Sequence, residues 1–455
     1  MGRSPKRRPR KSARKRVGQV SYYQHHGSWY VYYLDGKQQV RRRVSDDEEN
    51  AAKMAAQINA QFAVGLPTQF SFTPISVALL QQRFLEHHEH VARSSLSTIT
   101  RYRSASQHLV DYVEQRGAPK HTHQIDADDF VRHLRQKRVA PNGHRHSRKR
   151  PLHDKTAFFV LATCRSIYGF AAKKRLVPPY FDNPFTGLGS NRRRIEDAKP
   201  VYVFDAETEL RFMQEADDWT FAIHVTLAKT GLRPGELVHL LIEDIDLEEG
   251  WLHVRNKPEL GWQIKSRRDR SVPLAPELVA VLRRVVGNRQ AGVLFLRQRF
   301  DPAKSRLAQL DRKGLARAIQ RRINAAEELE DQAMSRKEAA KIAADVWHDA
   351  GVLRNDRIRI SFIRITRAIG LEDVTCPKCW RHTFATLLQD ANVDPLVRQI
   401  TLGHAPSTFG MGALGMTSVY THTRSSTQRS EIERAVRLWP KTLELAHDRA
   451  HGGAS

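Results

Sequence analysis

The sequence predicts a multidomain, mainly α-helical chain with small β-sheets. Three observations carry this. At 455 residues the chain exceeds what one ordinary hydrophobic core organises. Aromatic and β-branched runs at strand spacing are confined to two stretches, between Val17 and Val44 and between Trp251 and Leu274. Elsewhere apolar residues recur at helical spacing.

In chain order, residues 1–16 (MGRSPKRRPRKSARKR) hold nine Lys or Arg and almost nothing apolar, the composition of a disordered arm attracted to phosphate. Residues 17–65 read as a three-stranded sheet plus a helix. The strands are SYYQHH, SWYVYYLD and QQVRRRV, with turns at Gly27-Ser28 and Asp35-Gly36. Ser45-x-x-Glu48 is a capping box for a helix whose Ala51, Ala55, Ile58 and Phe62 share one face. Pro67 and Pro74 bracket a linker. Residues 74–190 then read as a helical domain, with apolar faces at Val77, Leu80 and Phe84, then Ile99, Tyr102, Leu109 and Tyr112. Further helices follow at 126–138 and 155–174. The run His144–Arg150 is a loop over phosphate or a solvated turn. A charged linker, SNRRRIEDAKP, leads to a mixed α/β block at 201–446 with candidate strands WLHVR, WQIK and RSVPL. Inside that block, 301–351 reads as an inserted, highly charged helical hairpin, and 447–455 as a tail.

A net charge of +26 and a pI near 10.3 favour a polyanionic partner, nucleic acid first. Three cysteines cannot build a disulfide framework, and no apolar run approaches the ~20 residues of a membrane span. A cytoplasmic, nucleoid-associated protein is expected.

The residues with most chemistry lie late in the chain. TGLRPGELVHL supplies Arg233, CPKCWRHTFAT supplies Arg381, LGHA supplies His404, and SVYTHT supplies Tyr420. Two guanidiniums can grip phosphate oxygens bidentately without losing charge, and a tyrosine hydroxyl is a usable nucleophile once that charge is neutralised. In this order the segments closely resemble the tyrosine recombinase (phage integrase) family. The resemblance is strong over 201–425. It implies a mixed α/β catalytic domain at 201–446, a helical core-binding domain at 74–190 and an arm-type DNA-binding domain at 17–65, whose sheet would present Arg41, Arg42 or Arg43 to a groove.

The resemblance also implies roles. Glu236 would buttress Arg233. The segment IKSRRDRSVPL resembles the family's lysine-bearing hairpin, which makes Lys265 the general acid and Lys257 its rival. Lys378 stands three residues before Arg381, where the family usually shows histidine. His382 is a packing or hydrogen-bonding residue, His404 a donor to the scissile phosphate, and Tyr420 the nucleophile. The implied function is a site-specific DNA recombinase working through a 3′-phosphotyrosyl link, integrating or excising a mobile element or phage. The implied partners are double-stranded DNA, with core and arm-type sites, a homotetramer on two duplexes, and DNA-bending or directionality proteins. No cofactor or metal is implied. A type IB topoisomerase-like relaxing activity and a catalytically silent DNA-binding protein are the rival readings. Cys376-x-x-Cys379 has no second ligand pair at zinc-finger spacing and reads as two packing thiols.

Overall fold

The computed structural model describes residues 13–36, 38–116, 121–140, 146–179, 181–188, 200–403 and 423–452. The chain divides into two compact units, 1–199 and 200–455.

The first unit opens with an antiparallel sheet of four strands in sequential order: β1 (Lys15–Val17), β2 (Val20–His25), β3 (Ser28–Asp35) and β4 (Gln38–Ser45). The expected sheet had three. The added strand is basic and lacks apolar alternation, so its own sequence does not announce it; it pairs through Lys15↔Tyr22 and Val17↔Val20. Lys15 and Arg16, expected in the basic arm, thus belong to the sheet, and residues 1–12 lie outside the described residues. The β2–β3 turn falls on His26-Gly27, one residue before the expected place. Both carry positive φ, 47° and 80°, as the twist-matched two-residue hairpin requires. Val20, Tyr22, Val31 and Tyr33 bury one face of the sheet against Ala51, Ala55 and Ile58 of α1 (Glu48–Ala63). That helix is capped by Asp47, whose carboxylate accepts from Asn50 N–H at 2.9 Å. Ser45 does not cap it, because it still belongs to β4, paired with Trp29.

The rest of the first unit is helical: α2 (Val77–Glu86), α3 (Leu96–Arg116), α4 (Ala127–Gln136) and α5 (Asp154–Lys173), with a two-residue ladder β5 (Arg138–Val139) and β6 (Arg150–Pro151). Leu80, Phe84, Leu109, Phe130, Leu161, Ile167 and Phe185 share one core. Buried Tyr168 donates its hydroxyl to the Thr122 carbonyl at 2.8 Å, which satisfies the polar end of that ring.

The second unit is built on α7 (Asp218–Thr230), buried on every side from Thr220 onward. Around it lie α6 (Ala206–Glu215), α8 (Pro234–Leu237), α9 (Pro276–Val286), α12 (Asn355–Ala368), α13 (Cys379–Asp390), α14 (Pro395–Leu402), α15 (Ser425–Val436) and α16 (Pro440–His451). His224 links three of these helices. Its Nδ1 accepts from Trp380 Nε1–H at 3.2 Å, so the proton sits on Nε2, which donates to Ser361 Oγ at 3.0 Å. Burial lowers this imidazole to about 3.

A small antiparallel sheet, β7 (Ile245–Asp246), β8 (Trp251–Val254) and β9 (Arg270–Pro273), flanks the helices. The segment WQIK is not one of its strands. After the left-handed Gly261 the chain turns back, and the Ile264 N–H is taken by Asn256 Oδ1 at 2.9 Å instead of a strand partner. The charged segment expected as an insertion forms α10 (Arg312–Glu330) and α11 (Arg336–Asp349). They share a separate core of Leu315, Ile319, Ala343, Val346 and Trp347 with Leu241 and Leu260.

Candidate DNA-phosphate site

The site begins at the end of α7. Gly231 caps that helix with φ of 63°, and a Cβ there would lie 2.4 Å from Phe384 Cδ1. Only glycine fits the turn that delivers Arg233. Pro234 then opens α8 at its first position, and Arg233 is left just ahead of it, about a quarter exposed.

Glu236 is the hub. Its Oε2 accepts from the Arg233 backbone N–H at 2.9 Å, and its Oε1 from Arg233 Nη1 at 2.8 Å. The same carboxylate takes Arg270 bidentately, Nη2 at 2.6 Å and Nη1 at 3.2 Å. Arg270 and Glu236 are both almost wholly buried. Burial works to raise the Glu236 carboxyl, but the hydrogen bond and charge of Arg270, with Arg233 behind them, hold it below the usual carboxylate range.

Arg381, in the first turns of α13, donates Nη1 to the Gly231 carbonyl at 2.8 Å and Nη2 to the Leu402 carbonyl. Burial and the neighbouring charges of Arg233 and Arg270 bring it down to about 10, so it remains a cation at neutral pH. Arg270 Nε donates to the Thr401 carbonyl at 3.0 Å. Two arginines thus satisfy terminal carbonyls of α14, where helix geometry favours positive charge. Gly403 follows with φ of 64°, and a Cβ there would meet Arg270 Cδ at 2.9 Å. The described chain therefore reaches the arginine cluster one residue before His404.

His404 and Tyr420 lie outside the described residues, which resume at Thr423. Beyond them, buried Gln428 on α15 donates Nε2 to the Ser271 carbonyl and to Thr401 Oγ1, both at 3.0 Å. The start of α15 is thereby fixed to β9 and α14, the elements that carry Arg270 and its carbonyl partner.

Lys265 is exposed on a turn just after buried Ile264. Its rival Lys257 is committed elsewhere, in an ion pair with Asp244 at 2.7 Å with both side chains 1% exposed. Lys378 is exposed at the N-terminus of α13, and its carbonyl accepts from the Arg381 and His382 N–H groups. His382 is exposed. Arg270 was left unassigned by sequence reasoning. The available signal was strand alternation, which puts Arg270 on the same inward face as Val272. Cys376 is exposed and Cys379 buried, and burial raises the Cys379 thiol to about 11. Among the described residues no group of three His, Cys, Asp or Glu side chains is disposed to hold a metal ion.

In the first unit, Arg41 and Arg43 pair with Tyr32 and Tyr30 and share the sheet's outer face, whereas Arg42 lies opposite Val31 on the helix side. On that outer face Arg41 stands 5.1 Å over the Tyr30 ring, and Arg14 4.8 Å over Tyr23. Arg43 also pairs with Asp46 at 2.7 Å. No helix of the described residues is long and apolar enough to cross a membrane.

Residues 203–344 match the model of the phage integrase family. Tyrosine recombinase XerA of Pyrococcus furiosus is 26% identical over 213 residues, 47% of this chain; the match spans 53% of the length of that relative. Tyrosine recombinase XerC of Pelotomaculum thermopropionicum is 25% identical over 371 residues, 79% of this chain and 94% of that one. Among solved structures, the Tn1549 transposon integrase in complex with transposon right-end DNA shares the fold, with a TM-score of 0.50 and 17% identity over 80% of this chain and all of that one.

Proposed function

This chain belongs to the phage integrase family of tyrosine recombinases, and we propose that it cuts and rejoins DNA at specific sites through a 3′-phosphotyrosyl intermediate. The observation that carries the reading is the arginine cluster. Arg233 and Arg270 both bond one carboxylate, Glu236, Arg381 lies within range of their charges, and the three leave an excess of positive charge where an anion gains most.

In this mechanism Arg233 and Arg381 hold the non-bridging oxygens of the scissile phosphate, with His404 donating a further hydrogen bond. Glu236 and Arg270 act on them from behind and fix the orientation of Arg233. The Tyr420 oxygen attacks phosphorus, forming the P–O(Tyr) bond as the bond to the 5′ oxygen breaks. The departing oxygen takes a proton from the Lys265 ammonium, and the tyrosine proton passes to a base, for which Lys378 is the candidate. Attack by a 5′ hydroxyl from the partner duplex reverses these steps on a new strand. The bond energy is conserved in the link, so the sequence of steps calls for no cofactor. Four copies on two duplexes, accessory DNA-bending proteins and integration or excision of a mobile element complete the reading. The outer face of the N-terminal sheet, with Arg41 and Arg43, contacts DNA away from the crossover.

The test is a suicide substrate that releases the 5′ fragment after cleavage. Wild type should accumulate a covalent protein–DNA adduct on denaturing gels, and Tyr420→Phe should bind the same DNA and give none. An adduct that persists in the Phe variant shows that another residue is the nucleophile. Absence of any adduct from the wild type, with binding intact, favours a silent DNA-binding protein.

A further inference from the structure

We propose that the helical insertion α10–α11 is a positioning element for Lys265, acting through the excursion between β8 and β9; this rests on the reading of Lys265 as the general acid. The excursion runs from Arg255 to Asp269, and apart from one bridge, Lys257↔Trp262, it forms no sheet. Something other than a strand ladder must therefore fix the lysine it carries.

The insertion supplies that support at three points. Arg312, at the start of α10, donates Nη2 to the Asn256 carbonyl at 2.7 Å and pairs through Nε with Glu259. Trp347 of α11 donates Nε1–H to the Leu260 carbonyl at 2.9 Å, and Leu260 itself is fully buried in the insertion's core. Gly261 lies so close to α11 that a Cβ would come within 2.8 Å of Ala343 Cβ. The excursion's far lobe is thus packed against both helices of the insertion.

Asn256 carries that constraint to Lys265. Its Oδ1 accepts the Ile264 N–H at 2.9 Å, and its backbone N–H and Nδ2 both donate to Asp269 Oδ1 at 2.8 Å. Ile264 and Asp269 are the two flanks of the Lys265 turn, which is closed by a 2.9 Å bond from Arg267 N–H to the Ile264 carbonyl, with Arg267 at φ of 54°. One residue therefore grips both ends of the turn while Arg312 grips that residue. Ile264 is anchored in the main core and Lys265 is the next residue, exposed. Releasing Asn256 frees the turn without touching the arginine cluster.

The experiment separates proton delivery from everything else. Cleavage rates on the ordinary phosphodiester are compared with those on a substrate whose bridging 5′ oxygen at the scissile bond is sulfur. A thiolate leaves without protonation, so a defect in the general acid or its positioning disappears on sulfur. Lys265→Ala should lose about 10²–10⁴-fold on oxygen and recover on sulfur. Arg312→Gln and Trp347→Phe should each lose about tenfold on oxygen, as small misplacements do, and recover on sulfur, with DNA binding unchanged. If Lys265→Ala is equally impaired on both substrates, the general-acid reading of Lys265 fails. If Lys265→Ala is rescued while the other two are impaired equally on both substrates, or are unimpaired on oxygen, the role proposed for the insertion fails alone. Arg312 is partly exposed and lies outside the apolar core of the two helices, so its variant decides the matter even where Trp347→Phe disturbs that core.

Discussion

Replacing Glu236 with Gln changes one atom and removes the carboxylate charge from the arginine hub. In the native site the two carboxylate oxygens accept four hydrogen bonds, two from Arg233 and two from Arg270. A glutamine offers one oxygen, and its amide nitrogen points a donor at donors. Arg270, almost wholly buried, keeps only its Nε bond to the Thr401 carbonyl. Breaking a buried pair in this way costs about 3–5 kcal/mol. For a unit of this size each kcal/mol lowers the melting temperature by about 2–4 °C, so the drop should be about 6–20 °C. The assay is thermal unfolding of wild type and Glu236→Gln in chloride and in sulfate at matched ionic strength. Sulfate should recover part of the loss in the variant and do less for wild type, because an anion can take the place of the missing charge. A melting temperature within 2 °C of wild type would refute the view of Glu236 as the hub. Equal effects of sulfate on both proteins would refute its electrostatic basis.

Two imidazoles in the second unit are held neutral by burial, His224 at about 3 and His239 at about 4. Since the unfolded chain binds protons on both from about pH 6.5 downward and the folded chain does not, stability should fall on acidification by up to about 2.7 kcal/mol per pH unit across that window; denaturant midpoints at pH 7.5 and 5.0 that coincide would contradict it. The depressed Glu236 carboxyl adds its loss only lower, once pH drops below the ordinary carboxylate range. Substituting both Cys376 and Cys379 with Ser should cost some stability through buried Cys379 and leave strand cleavage and its resistance to EDTA intact; zinc bound stoichiometrically and lost together with activity would reverse this assignment. Deleting residues 1–65 should flatten the dependence of log K on log salt by roughly 0.9 per phosphate contact removed, while adduct formation on a core site survives; an unchanged slope makes the basic front end a solubilising tail.

Some of the site was legible because its residues sit in short local patterns. Thr230–Leu240 states a helix end, a left-handed glycine and a proline start, and these alone determine that Arg233 is delivered at a helix boundary. Arg270 was not legible in this way. Strand alternation with Val272 could place it inward, but its partners Glu236 and Thr401 are 34 and 131 residues distant, so nothing local names what an inward arginine would bond. The misread strand WQIK fails for a related reason. Its residues suit a strand, but the N–H that a strand would pair is captured by Asn256, eight residues earlier, and the apolar Leu260 beside it is claimed by the insertion. The strand at Lys15–Val17 was hidden by composition, since pairing with β2 and not propensity makes it extended.

The buried ions of the second unit divide by what they leave unbalanced. Lys229 with Glu209 and Lys257 with Asp244 are pairs of opposite charge, each side chain about 1% exposed, so the buried charges cancel; the partly exposed Arg255 adds only a 3.6 Å approach to Asp244. The Glu236 hub is different, because two guanidiniums, Arg233 and Arg270, share its one carboxylate and a third, Arg381, stands close enough to feel all three charges. Burying an unbalanced charge is costly unless something compensates it. Part of the compensation is local, from the carbonyls of Gly231, Thr401 and Leu402. In the proposed function the remainder is what a bound phosphate would supply. At about 4 Å and an effective dielectric near 20, each unit charge pair contributes about 4 kcal/mol before desolvation, and the anion meets donors already oriented by Glu236. The same carboxylate that lowers the net charge therefore makes the positive charge usable, since without it Arg233 would have to be ordered at the moment of binding.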